Sequence, residues 1–201
     1  MEKFFGILSA VIVLASYPVY GIRIWQRKIV PNIASWTIFV IISIALFLTY
    51  KSSGAKENVF VTIGPLLGTT SILVLALIRS KEKTMTKTDW LCLCAGILAI
   101  IIWFFTKQNK NSVQFALYLG ILADFIGIIP SALFLKKFPC KDRPAMWLIF
   151  SLGYLLSMFS ITENTFANWI LPCFMVFAPS LVWVSLVKYR IKNKIPLKEW
   201  I

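Results

Sequence analysis

Long apolar runs alternate with short polar connections along the whole chain. A helix needs about 20 mostly apolar residues to cross the ~30 Å hydrocarbon core of a bilayer. Seven stretches reach or approach that length: residues 4–20, 33–50, 59–78, 90–105, 113–135, 145–161 and 168–187. The pattern predicts an all-α membrane protein with seven transmembrane helices. The connections are too short to hold a soluble domain.

Composition agrees with the pattern. The chain is 59% hydrophobic and 14% charged, against roughly 45–50% and about 25% in a soluble domain. The opening MEKFFGILSAVIVLAS has the lysine, apolar core and small-residue end of a signal peptide. It is read here as a retained first helix, because a later segment repeats it.

A net charge of +13 raises the question of nucleic acid, but the distribution of charge answers it differently. Sixteen of the 21 Lys and Arg fall on one side of the predicted spans, in three connections around Arg23, Arg79 and Lys136 and in the tail from Lys188 to Lys198. The other side holds Lys3, Lys51, Lys56, Lys107 and Lys110. Basic residues gather in cytoplasmic loops, so the N-terminus is expected outside and the C-terminus in the cytoplasm, in a cell or inner membrane. The tail VKYRIKNKIPLKEWI is expected to rest on anionic headgroups, and no nucleic-acid partner is expected.

Four cysteines build no disulfide framework: Cys92, Cys94 and Cys173 fall within predicted spans, and Cys140 in a cytoplasmic loop. The chain has no histidine, which excludes His-based triads and the usual zinc sites. The four cysteines could formally hold zinc but read as small apolar filler. No metal and no cofactor are expected.

An internal repeat organises the spans. Pro18 and Pro130 lie near the same ends of the first and fifth helices. Each is followed by a basic loop with a second proline, Pro31 or Pro144, and then a tryptophan opening the next helix, Trp36 or Trp147. The third and seventh spans both carry internal prolines, Pro65 in one and Pro172 with Pro179 in the other. The chain therefore divides into a three-helix repeat (residues 1–80), a linker helix with its loops (81–112), and a second three-helix repeat with the basic tail (113–201). The linker crossing lets both repeats point the same way, and parallel repeats occur in transporters with the substrate site at their interface.

This layout resembles the PQ-loop and SWEET-like superfamily, which includes sugar transporters, cystinosin-type amino-acid exporters and, more distantly, bacterial vitamin-precursor carriers. The resemblance covers the whole chain as architecture. The Pro-Gln pair that names the family is absent, since Val19 follows Pro18 and Ser131 follows Pro130. The stretch Asp124 to Gly127, DFIG, is similar to the Asp-Phe-x-Gly of cystinosin-type fifth helices. The resemblance implies a proton-coupling role for Asp124.

Asp124 is also the residue that chemistry singles out. It lies midway along LYLGILADFIGIIPSALFL with no other charge in that stretch, where an ionised carboxylate costs about 2.5–3.5 kcal/mol. On a helix it shares a face with Gly120, Gly127 and Ser131, beside the bulkier stripe of Ile121, Phe125, Ile129 and Leu133. No Lys or Arg lies at comparable depth. Two roles stay open. One is a group that binds and releases a proton as a cavity opens and closes. The other is a structural acid bonded to Thr69, Thr70 or Ser71 of the third helix, or to Tyr154, Ser157 or Ser160 of the sixth. Pro18 and Pro130 are candidate hinges. Gly64 and Gly68 permit close helix approach, and Trp36 and Trp147 serve as interface anchors or gates.

A retinal-type pump would need a lysine midway in the seventh helix, and none is there. An enzyme would need a nucleophile with a base, or a metal cluster, and none is expected. Two functions remain: a small-solute transporter working by alternating access, with Asp124, Gly127, Ser131, Thr69, Thr70, Ser71 and Tyr154 around its site, or a non-transporting receptor or scaffold on the same fold, as the KDEL receptor is. Substrate and oligomeric state are not legible.

Overall fold

The computed structural model describes residues 1–27, 31, 33–80 and 85–200, apart from the side chains of Pro130, Ser131, Phe134 and Lys141. Lys28, Lys81, Lys83 and the side chains of Pro130, Ser131 and Lys141 therefore lie outside the described residues. Seven α-helices follow one another: α1 (Glu2–Trp25), α2 (Ile33–Ser52), α3 (Ile63–Arg79), α4 (Lys87–Thr106), α5 (Lys110–Lys137), α6 (Pro144–Ser157) and α7 (Phe166–Lys192). No strand occurs among the described residues.

Six of the helical stretches are long and apolar enough to cross a membrane, and the segment Pro144–Ser160 is a shorter apolar one. Length explains how the short one serves. Fourteen residues of α6 rise about 21 Å, and the 3₁₀ turn Met158–Ser160 adds about 6 Å. The chain is an integral membrane protein of helical class. The seven expected spans all appear as helices.

Local chemistry sets the helix ends. Pro65 cannot sit inside a continuous helix without losing a hydrogen bond and clashing with the preceding turn. The expected span 59–78 accordingly opens with a 3₁₀ segment, Glu57–Thr62, and α3 starts two residues before the proline. A reciprocal Thr86–Asp89 box caps α4, and Pro144 takes the first turn of α6, where no N–H is needed. Gly54 turns the chain after α2 with φ +106°, and a side chain there would press on Glu163 and Lys110.

Packing rests on small residues, as expected where the lipid is as apolar as the side chains. Val13 of α1 is fully buried between Gly64 of α3, whose added Cβ would come within 2.7 Å of it, and Gly153 of α6. One turn on, the Tyr17 ring fills the space a Cβ on Gly68 would take. The expected close approach at Gly64 and Gly68 is thus present, with α1 as the partner. Helix α3 packs against both α1 and α2, and α7 against both α5 and α6. Across the bundle α1 meets α6 and α2 meets α5. Helix α4 packs mainly on its inner neighbours, α2 and α5, through the small stripe Cys92, Gly96 and Ala99. Its other faces are exposed and apolar, the surface that lipid covers.

The end of the basic tail also contacts the start of α6. The main-chain N–H of Ala145 donates to the Trp200 carbonyl at 3.2 Å, and the Arg143 guanidinium donates to the Glu199 carbonyl.

Candidate functional site

A cavity of about 370 Å³ runs between the helices, within the range of about 300–1,000 Å³ that small-molecule sites occupy. Helices α1, α2, α3, α5, α6 and α7 all contribute to its wall, and α4 contributes nothing among the described residues. From mid-depth, at Asp124, Thr69 and Ser43, it extends toward the end where the α1–α2 and α5–α6 connections lie, reaching Pro31 and Asp142. Tyr20, Trp147 and Asp142 there are partly exposed, whereas Leu46 and Thr62 at the other limit are buried. The basic end is the open one.

Asp124 projects from the middle of α5 into this cavity and keeps partial exposure. No described residue donates a hydrogen bond to its carboxylate or forms an ion pair with it. Tyr17 of α1 and Tyr154 of α6 lie within electrostatic reach, and so does Cys92 of α4. The Ser and Thr hydroxyls proposed as structural partners bond elsewhere. Thr69 donates to the Pro65 carbonyl at 2.7 Å, Ser157 to the Tyr154 carbonyl at 2.7 Å and Ser160 to the Ser157 carbonyl at 2.6 Å.

The expected site residues divide by helix face. Asp124, Thr69 and Tyr154 line the cavity together. Thr70 and Ser71 are exposed on the outside of α3 and bond back to Leu66 and Leu67, because successive helix positions turn by about 100°. Gly127 faces α4 and α2, with a Cβ there 3.6 Å from the Cys92 thiol and 3.9 Å from Phe39. Ser131 lies outside the described side chains. Pro18 sits on the exposed side of an unbroken α1, and α5 continues past position 130.

Phe39 and Phe150 escaped sequence reasoning, whereas Trp36 and Trp147 were expected as anchors or gates. Trp36 and Phe39 on α2, and Trp147 and Phe150 on α6, all line the cavity. Each pair belongs to a Trp-x-Ile-Phe tetrad, WTIF and WLIF, that follows the loop proline by five positions in one repeat and three in the other. That recurrence is the signal that locates them. The rings form two banks: Tyr20–Trp36–Phe39, with centroids 5.4 and 5.7 Å apart, and Tyr17–Phe150–Tyr154, at 6.3 and 5.1 Å. At the mouth, Asp142 accepts a 3.0 Å hydrogen bond from the Trp147 indole. Burial raises its carboxyl above the ordinary carboxylate range, against the indole N–H that holds it down.

The opposite end is held shut by a polar clasp that composition did not reveal. The buried Tyr50 hydroxyl donates to the Asn168 main-chain carbonyl at 2.7 Å and accepts from the Asn58 amide at 2.6 Å. The Asn168 amide donates to the Glu163 carbonyl at 2.8 Å. Outside it, the Glu163 carboxylate lies 2.9 Å from Lys56 and 3.9 Å from Lys110. The hydrogen bond from Lys56 holds the Glu163 carboxyl below the ordinary range. Among the described residues no cluster of ligating side chains could hold a metal ion. Compared with protein-family models, curated proteins and solved structures, the chain matches none.

Proposed function

We propose that this protein carries a small solute across its membrane by alternating access, on a two-repeat plan resembling the PQ-loop and SWEET-like superfamily. The observation that carries the proposal is the cavity: six helices wall it, α4 stands apart, one end is open and the other is clasped. The packing supports two equivalent units joined by α4. Exchanging α1 with α5, α2 with α6 and α3 with α7 leaves the main contacts unchanged, since α1–α6 becomes α5–α2 and each third helix still bridges its own pair. Rocking one unit against the other would open the clasped end and close the mouth between Trp36 and Trp147.

The charge asymmetry supports an open mouth facing the cytoplasm, with the C-terminus on that side. Asp124 is the coupling group of this proposal. Among the described residues it is the only acid at mid-depth in the cavity wall and has no cation beside it, so a proton can neutralise it during occlusion. The ionisable neighbours at that depth are Tyr17, Tyr154 and Cys92. Those of α2 lie at the clasped end, and α7 places Cys173 on its outer face and its basic residues at the mouth.

The test is expression of the wild type and of Asp124→Asn in cells, followed by untargeted measurement of intracellular metabolites. A carrier changes the level of a solute with the wild type and not with the variant. Unchanged metabolites with both proteins in the membrane would favour a receptor or scaffold.

A further inference from the structure

Three hydroxyls of the cavity wall are turned back on their own helices. Ser43, Thr62 and Thr69 spend their hydroxyl protons on main-chain carbonyls of their own helices, those of Phe39, Val59 and Pro65, at 2.7 Å in each case. The Thr69 hydroxyl also lies 3.3 Å from the Ser43 oxygen, which accepts from it. Asp124, when ionised, is acceptor-only. The two ring banks present faces that carry partial negative charge. No lysine or arginine is among the described lining residues.

The wall also carries the hydroxyls of Tyr17, Tyr20, Tyr154 and Ser35, so what it lacks among the described residues is a cation. An anionic solute would meet the Asp124 charge with no cation to offset it. A polyhydroxylated neutral solute would find donors and acceptors but would leave the Asp124 charge unanswered. A protonated amine supplies what is missing: N–H donors for the hydroxyl oxygens, a charge for the carboxylate and a cation over aromatic faces. An apolar, flat body attached to it would fill the space between the rings.

Resting on the carrier proposal above, we infer that the cavity selects a protonated amine with a flat apolar body. Asp124 provides the counter-charge, and the Trp36 and Phe150 banks provide the walls.

The experiment is calorimetric titration of the purified full-length protein in detergent with three matched probes: benzylammonium, benzyl alcohol and phenylacetate. Benzylammonium should bind at least about tenfold more tightly than the alcohol, and phenylacetate most weakly. Asp124→Asn should reduce benzylammonium to the affinity of the alcohol. Asp124→Glu, which keeps the charge, should retain the preference. Equal affinity of amine and alcohol in the wild type, a preference for phenylacetate, or binding of none of the three overturns the inference. Its fate is separable from that of the carrier proposal. Amine preference in a protein whose clasped end never opens would leave the site and remove the carrier. Alternating access without amine preference would do the reverse.

Discussion

The Tyr50 hydroxyl of α2 donates a 2.7 Å hydrogen bond to the main-chain carbonyl of Asn168 in α7, joining residues 118 positions apart at the closed end of the cavity. The same hydroxyl accepts from Asn58, so one atom ties together the end of α2, the turn before α3 and the start of α7. Tyr50→Phe keeps the ring and removes that atom, leaving a buried amide and a carbonyl unpaired. Such loss costs about 1–3 kcal/mol. The variant should open more readily at this end, read as faster labelling of a cysteine placed at Leu46. Wild-type labelling would mean the clasp does not hold the gate.

Glu163 offers a pH test of the same clasp. Its carboxyl is held below the ordinary range by Lys56, with Lys110 adding to the pull. A depressed folded-state value means that the ion pairs contribute above the unfolded value of about 4.3 and that the contribution is lost as pH falls through the folded value. Leu46 labelling should therefore rise as pH drops below about 4.3 in the wild type. Glu163→Gln should show the raised rate already at neutral pH and no further acid dependence from this group.

Close packing at α1 gives a stability prediction. A methyl on Gly68 would collide with the Tyr17 ring, and one on Gly153 with Val13. Both neighbours are buried and have little room to yield. Gly68→Ala and Gly153→Ala should each destabilise by about 1–3 kcal/mol, measured as a lowered midpoint of thermal unfolding in detergent. Gly127→Ala, with its nearest neighbour at 3.6 Å, should be close to neutral.

The seven helices were legible because a bilayer imposes a long uniform signal on the sequence, although one of them is shorter than the six of membrane-spanning length. Which face of a uniformly apolar helix looks inward was not. Thr69, Thr70 and Ser71 are three adjacent hydroxyls, and only the position of α1 and α2 beside α3 sorts Thr69 inward and the other two outward. Asp124 stood out because a charge at that depth has a cost that apolar neighbours do not. Asp142, Asn58 and Asn168 carry no such mark, since polar residues near helix ends are ordinary. The Trp-x-Ile-Phe tetrads were visible as a repeat, but their place on the wall follows from how α2 and α6 pack.

Pro18 tests the proposed motion. It lies inside an unbroken α1 and removes one hydrogen bond from it, so Pro18→Ala restores that bond and stiffens the helix. The variant should fold normally and exchange more slowly between its two open forms. Wild-type exchange rates would make the proline a tolerated residue and not a flexing point.

The central claim is that one cavity opens in turn to the two sides, and cysteine accessibility measures it directly. In a background with Cys92, Cys94, Cys140 and Cys173 replaced by serine or alanine, single cysteines are placed at Leu46 near the clasp and at Ser35 near the mouth. Each is labelled with an impermeant thiol reagent from either side of sealed vesicles. The account predicts that Ser35→Cys reacts from the cytoplasmic side, that Leu46→Cys reacts from the opposite side, and that Tyr50→Phe raises the second rate while lowering the first. Labelling of Leu46→Cys from the cytoplasmic side alone, in the wild type and in Tyr50→Phe, would contradict alternating access.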